Sequence, residues 1–327
     1  NIKKIGMTAL AASLVSTSVF AGELTATGSA SLAVEGYSGA GLASDTAFSM
    51  GDSVILSGST ELDNGMTVTM SFELDGTSES TVSGLSAYDD NSLTISSDAM
   101  GTMKFSAHGG SSASSALDTT AAGDMWDNFD GTANTLTVAG SATKAAGAGN
   151  NSIFYTLPSM VDGLAVSTSL ATVGTTGNSA LGYSATYSGV DGLSVSYGIA
   201  DVNSGLASTS GDQTAMKASY AYGPVTLSYS NSEYTLGSGA TEAAQQDVTS
   251  YAVSYTVSDA LSVTYGTETI ESGLAGSVDA EYQGVTVAYT AGGMTVTAKS
   301  QEADAISHTS ASNEDYDYWS LGLSFAF

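Results

Sequence analysis

The chain has 327 residues, of which 33 are Asp or Glu and 6 are Lys, so its formal net charge is −27 at pH 7. Arg and Cys are both absent from the sequence. A disulfide framework and thiolate metal sites are therefore excluded, and so is a basic surface that neutralises nucleic-acid phosphates. Gly, Ser, Thr and Ala are abundant while long helix-forming side chains are scarce, which favours many short strands joined by turns.

Residues 1–21 have the pattern of a secretory signal peptide. Lys3 and Lys4 form a basic start, Met7 to Val19 is mostly apolar, and the segment ends in small residues at Ala21. The apolar run is too short to span a membrane, and the alternative is a short buried helix. We expect an exported protein whose mature part comprises residues 22–327.

Apolar and polar residues alternate along most of the mature chain. From Met66 to Asp75, for example, large apolar residues occupy one parity and Thr, Ser, Glu and Asp occupy the other. A period of two predicts strands with one apolar and one wet face. The predicted strands begin near Leu24, Ser53, Met66, Ser92, Thr102, Ser152, Leu164, Ser179, Leu193, Gln213, Val225, Val248, Leu261, Ala280, Met294 and Tyr316.

Tight turns rich in Gly, Asp, Asn and Pro separate these strands in pairs. Most successive turns are about 30 to 35 residues apart, and one interval is longer by about 27 residues. Each interval holds an outgoing strand, a longer polar loop and a returning strand. The pattern predicts an all-β fold, a 16-stranded antiparallel transmembrane β-barrel, because an even strand count with short turns on one side is typical of outer-membrane barrels.

Aromatic residues fall mainly on the apolar parity and often near strand ends. That placement is expected of the girdles that mark the two membrane interfaces. The residues are Tyr155, Tyr183, Tyr187, Tyr197, Tyr220, Tyr222, Tyr229, Tyr255, Tyr265, Tyr289, Trp319 and Phe325.

Three stretches carry a family resemblance. Asn151 to Leu164 reads NSIFYTLPSMVDGL, the chain ends in WSLGLSFAF at Phe327, and the segment from Gly22 reads GELTATGSA. They resemble the strand-turn-strand after the long third loop, the C-terminal strand and the first strand of general Gram-negative porins, especially those of alphaproteobacteria. The resemblance covers the whole mature chain in architecture and about a tenth of it in recognisable motifs.

The resemblance implies a trimer of water-filled diffusion pores whose third loop folds inward to form the constriction. Residues 108–150 occupy the place of that loop. They include four acids and two aromatic residues that we assign to the pore constriction: Asp118, Asp124, Trp126, Asp127, Phe129 and Asp130. Carboxylates in a narrow passage select ions because the low-dielectric walls focus their field. The alternative is an ordinary acidic surface loop.

The sequence departs from the family on the opposite wall, where general porins usually carry a cluster of Arg. Parity places Lys104 and Lys217 on polar strand faces, so they are partial substitutes for that cluster. Lys299 is a weaker candidate because it is expected near the outer end of its strand. Several wall acids share the polar parity, which predicts a cation preference. They are Glu61, Glu73, Asp75 and Glu268. A broad, weakly selective pore is the alternative.

Residues for catalysis or cofactor binding are scarce. Only His108 and His308 can titrate near neutral pH, and neither lies in a recognisable catalytic grouping. The acids at 89–90 and 314–317 have hard oxygen ligands that Ca²⁺ prefers, but their spacing matches no EF-hand and they are more typical of solvated loops. We therefore expect no enzyme, no cofactor and no metal site.

The sequence as a whole predicts an outer-membrane porin of a Gram-negative bacterium that passes small hydrophilic solutes and prefers cations. The expected partners are two further copies of the same chain, which form a homotrimer, and outer-membrane lipid and lipopolysaccharide. Nucleic acid is not expected as a partner. The alternative from another class is a secreted acidic surface-layer or adhesin-type structural β-protein. The regular turn spacing and the C-terminal strand ending in Phe327 argue against it. A third interpretation is a substrate-specific channel with its binding site in the long loop.

Overall fold

Sixteen antiparallel strands form one closed barrel in which every strand pairs with its neighbours in sequence, and β1 pairs with β16. The computed structural model describes residues 24–39, 46–75, 90–114, 117, 119–129, 150–172, 178–204, 211–236, 246–273, 275–306, 308 and 315–327. The predicted signal peptide lies outside the described residues. No helix in the described part of the chain is long and apolar enough to cross a membrane.

The strands fall into two groups of eight along the chain. The first eight are β1 Leu24–Gly39, β2 Thr46–Glu61, β3 Thr67–Asp75, β4 Asn91–Ser97, β5 Gly101–His108, β6 Ser152–Thr156, β7 Leu164–Thr172 and β8 Asn178–Val190. The others are β9 Leu193–Ser204, β10 Gly211–Tyr222, β11 Val225–Leu236, β12 Gln246–Ser258, β13 Leu261–Ser272, β14 Ala280–Ala291, β15 Met294–Asp304 and β16 Tyr316–Ala326.

The predicted strand count and all but one of the predicted strand starts are confirmed to within two residues. The exception is β2, which begins at Thr46 rather than near Ser53 and has 16 residues. Its early half pairs with β1 as far as Thr46 with Gly36, but Gly51 and Asp52 interrupt the local alternation. Strand pairing rather than local pattern extends β2, and the same is true of the 16-residue β1.

Cross-strand register sorts the side chains onto two faces. Tyr220 lies opposite Leu227, whereas Lys217 lies opposite Ser230. Neighbours in register share a face of the sheet, so the apolar row and the polar row each continue from strand to strand. The first row exposes large side chains such as Tyr220, Leu227 and Tyr251 on the outside of the barrel, which is the surface that lipid covers in transmembrane barrels.

The barrel closes where the C-terminal strand meets the first one. The backbone N–H of Gly28 donates to the Phe327 carbonyl oxygen at 2.7 Å, and the Phe327 N–H donates to the Gly28 carbonyl oxygen at 3.0 Å. A Cβ on Gly36 would lie 2.6 Å from the indole nitrogen of Trp319. Glycines on β1 thus leave room for the aromatic rings of the final strand at the seam.

The main cluster of buried apolar side chains lies on the inner wall of the barrel. It joins Met125 and Phe129, from a short 3₁₀ helix spanning Met125–Phe129, to residues of β12 to β16 and to Ile306. A sandwich would bury such a cluster between two sheets. Here it fixes a chain segment inside the barrel.

Two turn glycines allow a test of how closely neighbouring turns pack. Gly65 and Gly101 both have a φ of 78°, which favours glycine. A Cβ on Gly65 would meet nothing within 4 Å, whereas one on Gly101 would lie 2.7 Å from the Pro158 nitrogen and closer still to the Thr156 carbonyl oxygen. We expect Gly65→Ala to cost about 1 kcal/mol of unfolding free energy from its backbone conformation, and Gly101→Ala to cost clearly more.

The measurement is urea unfolding of both variants in the same detergent, followed by tryptophan fluorescence. Gly65→Ala serves as the matched control for the backbone conformation alone. Equal losses of stability in the two variants would show that the turn at Gly101 is not packed against the β6–β7 connection.

Candidate pore constriction

The segment that follows β5 runs along the polar, inner face of the barrel. The Ala113 N–H donates to Ser169 Oγ on β7 at 2.7 Å, and Ser114 Oγ donates to Gln213 Oε1 on β10 at 3.2 Å. Ser114 and Gln213 are fully buried. Serine, glutamine and glutamate side chains on this wall therefore supply acceptors for a loop that has no strand partner of its own.

The second half of the segment follows a single row of wall residues. Ser230, Ser250 and Glu268 lie opposite one another on β11, β12 and β13. The Ala121 N–H donates to Ser230 Oγ at 2.7 Å and the Ala122 N–H donates to Ser250 Oγ at 3.0 Å. Two successive N–H groups of the loop are thus bonded to two adjacent strands at the same height in the barrel.

Glu268 accepts the last two bonds of this row. The Thr120 hydroxyl donates to Oε1, and the Trp126 N–H donates to Oε2 at 3.1 Å. Only 1% of Glu268 is exposed, so these bonds replace the water that a carboxylate would otherwise bind. The sequence predicted Glu268 as one of several acids lining the pore, but the structure places it beneath the loop.

Glycines on the inner wall allow the loop to lie flat against it. A Cβ on Gly266 would lie 2.5 Å from the Cβ of Ala122, and one on Gly198 would lie 3.0 Å from Leu117 Cδ1. Larger residues at these positions would push the loop towards the barrel axis. The abundance of glycine in the composition therefore has a specific steric reason at these two positions.

The loop segment ends in aromatic packing. Phe129 is fully buried, and its ring centroid lies 5.7 Å from that of Tyr282 and 6.0 Å from that of Tyr318. These are favourable distances for tilted aromatic pairs. Phe129, predicted as a constriction residue, is therefore an apolar anchor of the loop, and Trp126 is half-buried beside the same cluster.

Of the four predicted loop acids, the two in the described part of the chain, Asp124 and Asp127, have different surroundings. Asp127 is exposed on the short helix. Asp124 holds a turn instead, because its Oδ1 accepts from the Thr120 N–H at 2.8 Å and its own N–H donates to Thr120 Oγ1 at 2.7 Å. Its φ of 52° suits such a turn. Asp118 and Asp130 lie outside the described residues.

Lys104 and Glu73 share one recess on the inner wall. It has a volume of about 170 Å³ and also contains Asp90 and His108. His108 Nδ1 lies 3.6 Å from Asp90 Oδ1, and Glu73 accepts a hydrogen bond from the Ser53 hydroxyl. Two carboxylates therefore accompany Lys104.

The other two wall lysines lie in different surroundings. Lys217 lies in the row of Ser196 and Ser230. Lys299 Nζ donates to Asn128 Oδ1 at 3.3 Å. The sequence placed Lys299 near the outer end of its strand, but it lies midway along β15 and contacts the loop. The period-two pattern predicts the inward face of Lys299 correctly, but the predicted position of Lys299 along the strand is wrong.

Metal binding finds no support among the described residues, where no group of three or more His, Asp and Glu could hold an ion. Asp90 pairs with His108, and Asp317 accepts a hydrogen bond from Ser38 Oγ at 3.1 Å. Of the other acids of the calcium hypothesis, Asp315 shares a hydrogen bond with Asp304, and Asp89 and Glu314 are outside the described residues.

Comparison with known proteins assigns the family. A family model described as Gram-negative porin matches residues 6–327. This chain belongs to the Gram-negative porin family. No curated protein sequence matches this porin.

Solved porin structures share its fold. The anion-selective porin from Comamonas acidovorans is 16% identical, with a TM-score of 0.67, and the match covers 93% of this chain and 99% of that one. An engineered variant of the Rhodobacter blastica porin is 17% identical, with a TM-score of 0.66, and the match covers 93% and 100% of the two chains. The family and the closed barrel make this porin an outer-membrane channel of a Gram-negative bacterium, and not an enzyme.

The resemblance seen in the sequence is thereby confirmed, as are the all-β class and the outer-membrane location. What sequence reasoning missed in this porin is the loop anchor. Glu268 has the same parity and residue type as the exposed wall acid Glu61, so no local signal separates the two. Only the contacts of Thr120 and Trp126 identify it.

Removal of the Glu268 carboxylate tests whether this residue anchors the loop. In Glu268→Ala the Thr120 hydroxyl and the Trp126 N–H lose their acceptor, and an unpaired buried donor costs about 1–3 kcal/mol. We expect the loop to leave the wall part of the time, so that single-channel conductance rises and its distribution broadens. Glu268→Gln retains one acceptor oxygen and should be intermediate.

Glu61→Ala is the matched control, because it removes the same charge from the inner face of β2 and Glu61 makes no hydrogen bond with the described loop residues. Its conductance should stay close to that of the unmodified porin. Identical conductance distributions for Glu268→Ala and Glu61→Ala would exclude an anchoring role for Glu268.

Proposed function

We propose that this porin is a passive diffusion channel for small hydrophilic solutes and ions, with a preference for cations. The observation that carries the proposal is the charge of the inner face. Its described acids are Glu35, Glu61, Glu73, Asp75 and the anchor Glu268, while its cations are Lys104, Lys217 and Lys299. Asp127 adds an exposed carboxylate from the loop.

The surroundings of the inward-facing lysines also favour a preference for permeating cations. Lys104 lies in a recess with Glu73 and Asp90, and Lys299 is hydrogen-bonded to Asn128. A narrow passage with low-dielectric walls focuses the field of its fixed charges, so unbalanced carboxylates attract cations and repel anions. The mechanism needs no chemical step, since solutes flow down their gradients and are filtered by width and charge.

Barrel geometry alone does not fix the sign of the selectivity. The structurally similar Comamonas protein is described as anion-selective, so the same fold accommodates the opposite preference. The sign must come from side chains, and in this chain every cation is a Lys and the net charge is −27.

Two partner proposals accompany this function. The exposed apolar side chains of the outer face, such as Leu181, Tyr183 and Met216, support contact with outer-membrane lipid and with the lipid part of lipopolysaccharide. The homotrimer rests on the family resemblance, and heat-dependent migration of the detergent-extracted protein with chemical cross-linking tests it. A single band at monomer size after cross-linking would contradict the trimer.

The removal of residues 1–21 before the barrel assembles is also a proposal. Amino-terminal sequencing of the protein extracted from outer membranes tests it. A first residue at Gly22 is expected, and retention of the apolar segment would contradict it.

The selectivity proposal predicts the effect of neutralising the loop acids. Replacing Asp118, Asp124, Asp127 and Asp130 by Asn should shift the reversal potential across a salt gradient towards zero, because the passage loses four carboxylates. The measurement uses planar bilayers with a KCl gradient, and the conductance trace of the same preparation confirms insertion.

A control that removes four acids from the outer face keeps the change in net charge equal. Asp201, Asp212, Glu233 and Asp247 lie opposite one another in pairs on the outward parity of β9 to β12. Converting them to their amides should leave the reversal potential nearly unchanged. An equal shift in both variants would assign selectivity to total charge and not to the loop.

A further inference from the structure

A cavity between the loop and the wall differs from the rest of this acidic protein. It has a volume of about 250 Å³ and lies where Thr120 and Ala121 pass over β9, β10 and β11. Its lining combines one cation with five hydroxyl groups and includes no carboxylate: Thr120, Ser194, Ser196, Lys217, Ser219 and Ser228, with Ala121 and Ala218 completing it.

Lys217 carries the one charge among the described residues that line this cavity. It makes neither an ion pair nor a hydrogen bond with any residue in the described part of the chain. Register places it between Ser196 and Ser230, and the Ser230 Oγ accepts from the Ala121 N–H. The same row that anchors the loop therefore presents an ammonium group beside it.

Comparison with the recess at Lys104 shows why this arrangement points to a ligand. Lys104 shares its recess with Glu73 and Asp90, so an anion entering there meets two like charges. Among the described residues that line the cavity at Lys217, an anion would meet the ammonium group and serine hydroxyls but no carboxylate, while the Thr120 hydroxyl donates to Glu268. Hydrogen bonds between charged partners are about twice as strong as neutral ones, and a Ser or Thr hydroxyl can donate to the ligand or accept from it.

We propose that this cavity is a transient binding site for small carboxylates that also carry hydroxyl groups, such as sugar acids. The carboxylate would accept from Lys217 Nζ, and the ligand hydroxyls would exchange hydrogen bonds with Ser194, Ser196, Ser219 and Ser228. The volume is below the roughly 300–1,000 Å³ of sites for drug-sized ligands, which suits a small solute. The site rests on the proposed channel function and gives an otherwise cation-preferring pore a path for one class of anion.

The test measures binding and conduction separately. Saturation-transfer NMR on the folded, detergent-solubilised protein with sodium D-gluconate reports binding whether or not the barrel conducts. We expect saturable binding of gluconate, weaker binding of the neutral polyol sorbitol, and no competition by acetate at equal concentration. Lys217→Gln should weaken gluconate binding by about tenfold or more, while Lys217→Arg should largely retain it.

Lys104→Gln is the matched control, because it removes a lysine from the same inner face and should leave gluconate binding unchanged. In planar bilayers the same gluconate concentrations should partially block the KCl current, and Lys217→Gln should relieve the block. Absence of gluconate binding, or equal loss in Lys104→Gln and Lys217→Gln, would overturn the proposed site even if the pore conducts KCl. A folded protein that binds gluconate but conducts no KCl would contradict the channel function and leave the site standing.

Discussion

The whole structure depends on the need to pair every backbone N–H and C=O group that lies in lipid. Hydrocarbon offers no hydrogen bonds, so a sheet that crosses it must have no free edge. The chain meets this requirement where β16 returns to β1 and Gly28 exchanges two backbone hydrogen bonds with Phe327. Once the barrel is closed, each strand has one face in lipid and one in water, which explains the alternation in the sequence.

The side chains of the inner face meet a second requirement for hydrogen bonding, that of the loop inside the barrel. A loop lying inside the barrel also carries backbone N–H groups, and these need acceptors when the loop covers them. Such acceptors are supplied by Ser169 on β7 and by Ser230, Ser250 and Glu268 on the adjacent strands β11, β12 and β13. Polar wall residues in this porin therefore have two distinct roles, because some hold the loop while others face the solute.

Burial separates these two roles. Glu268 is 1% exposed and has two donors from the loop, so its charge is committed to the anchor. Asp127 is exposed, and in the function that we propose it acts on passing ions through its electrostatic field. The aromatic contacts of Phe129 with Tyr282 and Tyr318 fix the far end of the described loop. In the proposed channel, ion selectivity depends on a small number of exposed charges, and a larger number of buried contacts hold the loop that carries some of them.

The sequence predicts the barrel well because the signal is local. A period of two and the turn residues give the face of each strand and most of its first residues, and a wrong start occurs at β2, where pairing with β1 extends the strand beyond the pattern. The site is harder to predict because its contacts join distant residues. Thr120 and Glu268 are 148 positions apart, and the turn role of Asp124 depends on the fold of the loop around Thr120.

The alternation of residues along a strand predicts which face a side chain lies on, but it does not predict how deep in the pore that side chain lies. Lys104, Lys217 and Lys299 all have the inward parity, yet one lies beside two acids, one among hydroxyls and one against Asn128. These differences depend on where the loop crosses each strand. No periodicity in the sequence encodes that crossing point. The inward-facing lysines could therefore be predicted as a set, but the surroundings of each one could not.

The position of the loop can be measured directly, because the natural chain contains no Cys. A Cβ on Gly182 would lie 3.6 Å from the Cβ of Ala113, which is within the usual range for a disulfide. Ala113→Cys with Gly182→Cys requires that the Ser169 hydroxyl turn aside, which gives up its hydrogen bond with the Ala113 N–H, and that the Ala113 nitrogen, 3.3 Å from the new Cβ, shift slightly. If the loop lies against the wall as described, the disulfide forms readily in the folded protein and single-channel conductance stays at its unmodified value. Two free thiols after oxidation, or a fall in conductance that dithiothreitol reverses, would show that the loop of the working channel lies elsewhere.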